Sequence, residues 1–189
     1  MAETAADIIT FWTSDVGEAN WYRQDDVIDQ KVRHRFQAMW SVALENDAAP
    51  FSGTAEGALA STIALDQFPR NMFRDDPRAF ATDPLARRTV RAAIADGFDR
   101  AIDMPLRQFM YMPFTHSEVM EDQLEGAAYI EHGIGRTETL RHALAHAEII
   151  RRFGRFPFRN NALGRETTVE EQAFLDGGGY ASIVRGIEV

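Results

Sequence analysis

Helix start and stop signals recur along the whole chain, and no stretch between them alternates apolar and polar residues over the length of a strand. That punctuation restricts the fold to the all-α class. Asp7 to Trp12 reads as a short helix before a loop containing Gly and Asn. Asp25 and Asp26 open a longer one, in which Ile28, Val32, Phe36, Met39 and Ala43 share one face. Pro50 and Gly53 interrupt the pattern. A third helix is expected from about Thr54 to Gln67, stopped by Pro69, which lacks a donor and crowds the preceding turn.

Asp83-Pro84 has the form of an N-cap followed by proline at the first helical position. Gly97 closes that helix. A short helix is expected over Pro105 to Tyr111. Thr115 and Glu118 have capping-box spacing for the next helix, which runs to Gly133. Thr137 opens the longest late helix, with Leu140, Leu144, Ala147 and Ile150 on its apolar side and Gly154 at its end. Thr168 and Glu171 form a second capping box, and Gly177-Gly178-Gly179 reads as the start of a flexible tail. The expectation is about eight helices in antiparallel hairpins around one core. They form a single domain over 1–176, with a Gly-led tail over 177–189.

The 189 residues suit one self-sufficient core. There is no cysteine, which excludes disulfides, thiolate metal sites and a cysteine nucleophile. No apolar run approaches a membrane span, and the N-terminal segment is acidic where a secretory signal is basic, so the location read from sequence is cytoplasmic. The formal charge is -9, which speaks against nucleic acid as a partner. Lys31 is the single lysine and every other cation is arginine, the side chain whose planar fork matches carboxylate or phosphate.

Three polar segments stand out. The first is Leu65-Asp66-Gln67-Phe68-Pro69-Arg70-Asn71, at an expected helix end. Arg70 and Asn71 can satisfy the end carbonyls while Asp66 pairs with Arg70, or the group can orient a polar ligand. The second is Met112-Pro113-Phe114-Thr115-His116-Ser117-Glu118. It puts His116 in the first turn of an expected helix, where anions bind and where Glu118 can assist acid–base chemistry. Capping by Thr115, Ser117 and Glu118 explains the same residues without a ligand. The third runs from His146 to Asn161, with Arg151, Arg152, Arg155 and Arg159 interleaved with Phe153, Phe156 and Phe158. It fits an anion clamp with an apolar wall, or a helix end whose charges offset the dipole. His142 and His146 share a helix face, but HEXXH is absent and no metal site or cofactor is assigned.

These segments also carry a resemblance. Phe11-Trp12 with a following Trp21, LDQFPRN at 65–71, PRAFATD at 77–83, MPFTHSE at 112–118 and the run from His146 through IIRRFGRFPFRN to Arg165 resemble, in order and spacing, the bacterial family catalogued as domain of unknown function 924. The resemblance implies a TPR-like all-α fold and brings no activity with it. Matching polar positions are Asp66, Gln67, Arg70, Asn71, His116, Ser117, Glu118, His146, Arg155, Arg159 and Asn160. Relatives tend to read FPHRN where this chain has Phe158, and Tyr22 replaces the second aromatic of a WW pair.

Three functions fit these residues. The first is a pocket for a small anionic ligand. In its catalytic form, as a hydrolase or transferase, His116 or His146 serves as acid or base, Glu118 or Asp66 orients it, and Arg70, Asn71, Arg155, Arg159 and Asn160 hold the ligand. The second is a protein- or peptide-binding module, as TPR-like folds often are. The third makes the polar motifs internal networks that fix how the hairpins stack.

Overall fold

The computed structural model describes residues 3–189. All regular elements among the described residues are helical. The chain resolves into two compact units, residues 1–110 and 111–189.

In the first unit, α1 (Ala5–Thr10) starts at Thr4, whose capping box with Asp7 is complete, and runs on into a π-helical turn over Phe11–Val16. The long α2 (Asp26–Asn46) begins where the sequence indicates. The Asp25 carboxylate accepts from the N–H groups of Val27 and Ile28 at 2.8 and 3.0 Å. Of its expected apolar face Val32, Phe36 and Ala43 are buried and Ile28 and Met39 half-buried, with Trp40 buried beside them. Phe11, Phe36 and Phe68 interlock around it; the rings of Phe36 and Phe68 stack at 4.4 Å. Trp12, Trp21 and Phe109 extend this aromatic core.

Next, α3 (Ala55–Thr62) passes into a π-helical turn over Ile63–Gln67 and then α4 (Phe68–Met72). Pro69 therefore does not stop the helix. The chain widens ahead of it, Phe68 N–H bonding Ile63 O five residues back. The Leu65 carbonyl, which a non-proline at 69 would engage, instead accepts from the Thr82 hydroxyl at 2.6 Å. Thr82 Oγ1 in turn accepts Trp40 Nε1–H at 3.0 Å, and all of this is buried. Because Thr82 is so committed, α5 (Asp83–Ala95) has Thr82 at its N-cap position without a side-chain cap, one residue earlier than the Asp83 expected there. Asp83 is freed for an ion pair.

In the second unit, α6 (Met112–Thr115) and α7 (Met120–Gly133) replace the continuous helix expected from Thr115. The capping box read at Thr115 and Glu118 does not form. His116 lies at the C-terminal end of α6, its N–H on Met112 O at 3.0 Å, and Val119 holds the N-cap position of α7. Its N–H donates to Ser117 Oγ at 3.2 Å. The main hairpin pairs α7 with α8 (Glu138–Phe153), which ends at Gly154 in the left-handed region, φ 67°. The Thr168–Glu171 capping box opens α9 (Val169–Asp176) as read.

The segment expected as a flexible tail carries α10 (Gly179–Gly186), which packs on α8. Tyr180, Ile183, Val184 and Ile187 form its apolar stripe, and Ile183 joins a core of Ala145, Ile149, Ile150 and Phe156. Burial of that stripe outweighs the three glycines before it. No helix among the described residues is long and apolar enough to cross a membrane.

Candidate functional site

The candidate residues fall into two groups, one in each unit. In the first, the π-helical turn points Asp66 inward, fully buried. Its carboxylate accepts from Gln67 Nε2 at 2.6 Å and lies 3.3 Å from Arg70. Arg70 also caps the Asp66 carbonyl and holds Asp83 through two 3.0 Å bonds. Burial works against the Arg70 charge, but Asp66 and Asp83 outweigh it and keep its pKa above the ordinary value. Asn71 does not cap the helix end; its Nδ2 donates to Asp29 at 2.8 Å, and Arg74 grips the same carboxylate. Every polar side chain of LDQFPRN thus meets a partner inside the first unit. Asp29, Asp83 and Thr82, none of them among the candidate site residues, supply partners. The signal for Asp29 was its place on the inner side of α2, one residue past Ile28.

In the second unit, Glu118 bridges two segments. It accepts Phe156 N–H at 2.8 Å and is held by both terminal nitrogens of Arg165 at 2.7 and 3.0 Å. Burial alone would raise its pKa; Arg165 and the Phe156 N–H bring it below the usual carboxylate value. Arg155 forms a two-point pair with Glu171 at 2.6 and 2.8 Å and reaches the Glu166 carbonyl. Asn160 Nδ2 joins Glu171 at 3.2 Å. With the Arg155 bonds foremost, the Glu171 carboxyl is lowered to about 2.

The remaining candidates gather around the Phe156 ring. Arg159 is buried and lies over it at 4.5 Å. His146, from α8, meets it edge-on at 5.3 Å, with His116 at 6.1 Å and Tyr180 at 5.0 Å from the His146 ring. Tyr180 Oη is 2.5 Å from His142 Nδ1. Phe158, exposed, stacks on the outer side of Phe156 at 5.2 Å.

The His146 ring is tied to the backbone of Thr115, but its Nδ1 is buried without any hydrogen-bond partner. Burial comes first in pushing its pKa well below 6.5; the nearby charges of His116, Arg159 and His142 act the same way. The backbone of Thr115 acts the other way, favouring the charged ring, and does not reverse the shift. Asn160 Oδ1 and Gln123 Oε1 are also buried acceptors without a partner. Tyr180 was hidden from sequence reading by the glycine run, although its spacing to 183, 184 and 187 is helical. Among the described residues no group of three or more His, Asp or Glu is placed to hold a metal ion.

An all-helical protein with its polar motifs at breaks between helices is the class these features define. The family described as a bacterial protein of unknown function, domain 924, matches residues 8–179, and the chain belongs to it. A solved structure of a protein of unknown function from Agrobacterium tumefaciens is similar throughout. It is 40% identical over 92% of this chain and 97% of its own, with a TM-score of 0.85. No curated protein matches.

Proposed function

We propose that His146, with His116 and Arg159 beside it, forms a site for a small anionic ligand that also carries a hydroxyl group. The observation behind this reading is the buried, unpartnered Nδ1 of His146. A polar atom in that condition costs about 1–3 kcal/mol, so folded proteins retain few of them, and those they do retain invite a functional explanation. With its proton on Nε2, the neutral imidazole accepts at Nδ1, which suits a ligand hydroxyl. Burial comes first in keeping it neutral, and the positive charges beside it, which act the same way, suit a carboxylate or phosphate on the same molecule. Phe158 and Tyr180 supply apolar walls. A neutral histidine facing a hydroxyl can withdraw its proton, the step a hydrolase or transferase of this type would need.

For Asp66, Arg70, Asn71, Glu118, Arg155 and Asn160 we propose the structural role. Each of them already has a close partner within its own unit. Fixed fork-like pairs of this kind hold helix breaks in place and leave little charge for a ligand.

The test is a thermal-shift panel of hydroxylated phosphates and carboxylates on the wild type and on His146→Gln. A ligand at about a hundred times its Kd stabilises by roughly 2.7 kcal/mol, a rise of roughly 5–10 °C for a chain of this size. The reading requires at least one such rise, lost in a variant that melts normally by itself. An undiminished rise in His146→Gln, or no rise with any compound, would sink it.

A further inference from the structure

A concavity in the first unit shares no residue with the His146 group. α1, α3 and the segment 101–106 border a cleft of about 510 Å³. Its surface is mainly apolar, formed by Ile9, Trp21, Leu59, Ile102 and Pro105 among others. Met104, one of the large apolar side chains left exposed by the fold, stands on its border. The volume lies within the roughly 300–1,000 Å³ usual for small-molecule sites.

Its charge is one-sided. Glu18, Glu56 and Asp103 line the cleft, and no Lys, Arg or His does so among the described residues. Several acids elsewhere in this unit are held in ion pairs: Asp29 by Arg74, Asp66 and Asp83 by Arg70, Asp76 by Arg78, Asp47 by Arg88. The side chains of Glu18, Glu56 and Asp103 form no hydrogen bond or ion pair with any described residue. The chain's charge of -9 adds a field that concentrates cations at such a surface.

We propose that this cleft binds a small organic ammonium ion, an amine carrying an alkyl or aryl body. The apolar floor takes the body, and the three carboxylates at the rim take the charge. Neither a neutral hydrocarbon nor an organic anion meets both requirements. The volume matches a single small molecule, and a lysine-bearing peptide is an alternative that the experiment separates.

The experiment titrates the full chain with hexylamine and 2-phenylethylamine, followed by calorimetry and by NMR shifts of Trp21, Leu59 and Ile102. 1-Hexanol, hexanoate and a short lysine peptide serve as comparisons. Saturable binding of the amines at the cleft is expected, with hexanol and hexanoate much weaker. The triple variant Glu18→Gln, Glu56→Gln, Asp103→Asn should weaken the amines by about tenfold, in keeping with the modest worth of exposed charges. Its melting temperature should not fall, because these carboxylates have no partners to lose. Ala101→Trp, at an exposed position on the cleft border, should abolish binding by filling the space. The proposal is overturned if amines bind no tighter than hexanol, if either variant binds amines like the wild type, or if the peptide binds and the free amines do not.

Discussion

Thr82 offers the sharpest perturbation of the first unit, because one hydroxyl serves two buried groups made needy by Pro69 and by Trp40. Thr82→Val keeps the shape and removes the hydroxyl. It leaves the Leu65 carbonyl and the Trp40 Nε1–H without partners; today they lie 2.6 and 3.0 Å from Thr82 Oγ1. An orphaned buried polar group costs about 1–3 kcal/mol, and a methyl in place of the hydroxyl returns under about 1 kcal/mol. The net loss is about 2–4 kcal/mol. At roughly 2–4 °C per kcal/mol, a loss of 3 kcal/mol lowers the melting temperature by roughly 6–12 °C. Thr82→Ser keeps both bonds and gives up a methyl group, about 1 kcal/mol. Thermal and urea unfolding followed by circular dichroism measure the difference. If Thr82→Val melts with Thr82→Ser, the hydroxyl does not secure the break at Pro69 and the reasoning fails.

Acid should weaken the protein in two stages with the same sign. Below pH 6.5 the unfolded state takes up a proton that His146 refuses in the fold, so stability falls as pH drops toward its lowered folded pKa. His146→Gln should flatten that stage in a urea series at stepped pH. Glu171, at about 2 in the fold against 4.5, adds stability that is complete above pH 4.5 and lost as pH falls toward 2. Glu171→Ala should cost more than the ~1 kcal/mol of a cap alone, since it also strands Arg155 and Asn160. Arg155→Ala should cost less than Glu171→Ala, because Glu171 keeps Thr168 and Asn160; the reverse order in melting would contradict the assigned roles. Gly126→Ala should destabilise despite alanine's better helix propensity, because a Cβ there would stand 2.7 Å from the Phe114 Cβ. An unchanged or raised melting temperature would show that α7 can yield.

Much of the helical order was legible because caps and stops are local chemistry. The Asp25 cap, the Thr168–Glu171 box and Gly154 all act within a few residues of themselves. What escaped were places where a distant partner overrides the local signal. Pro69 signals a stop, yet the helix continues because Thr82, thirteen positions on, satisfies the carbonyl it frees. Glu118 has capping spacing but is drawn to Arg165 and Phe156 N–H, contacts that no local window contains. The glycines at 177–179 masked a helix whose stability comes from burying Ile183 and Tyr180 on α8. The motif residues were visible as unusual polar groups. Their division into the ion pairs of the helix breaks and the group around Phe156 required coordinates, since an arginine beside phenylalanines reads alike in either place.

The claim at the centre of this account is that His146 presents a neutral ring with a buried, unpartnered Nδ1. Histidine-selective ¹⁵N spectra of the full chain between pH 5 and 8, with His146→Gln to assign the signal, test it most directly. The account predicts the Nε2–H tautomer with a lone-pair Nδ1 at pH 7, and a neutral ring still at pH 6. A ring protonated at pH 6, or one carrying its proton on Nδ1, would contradict it.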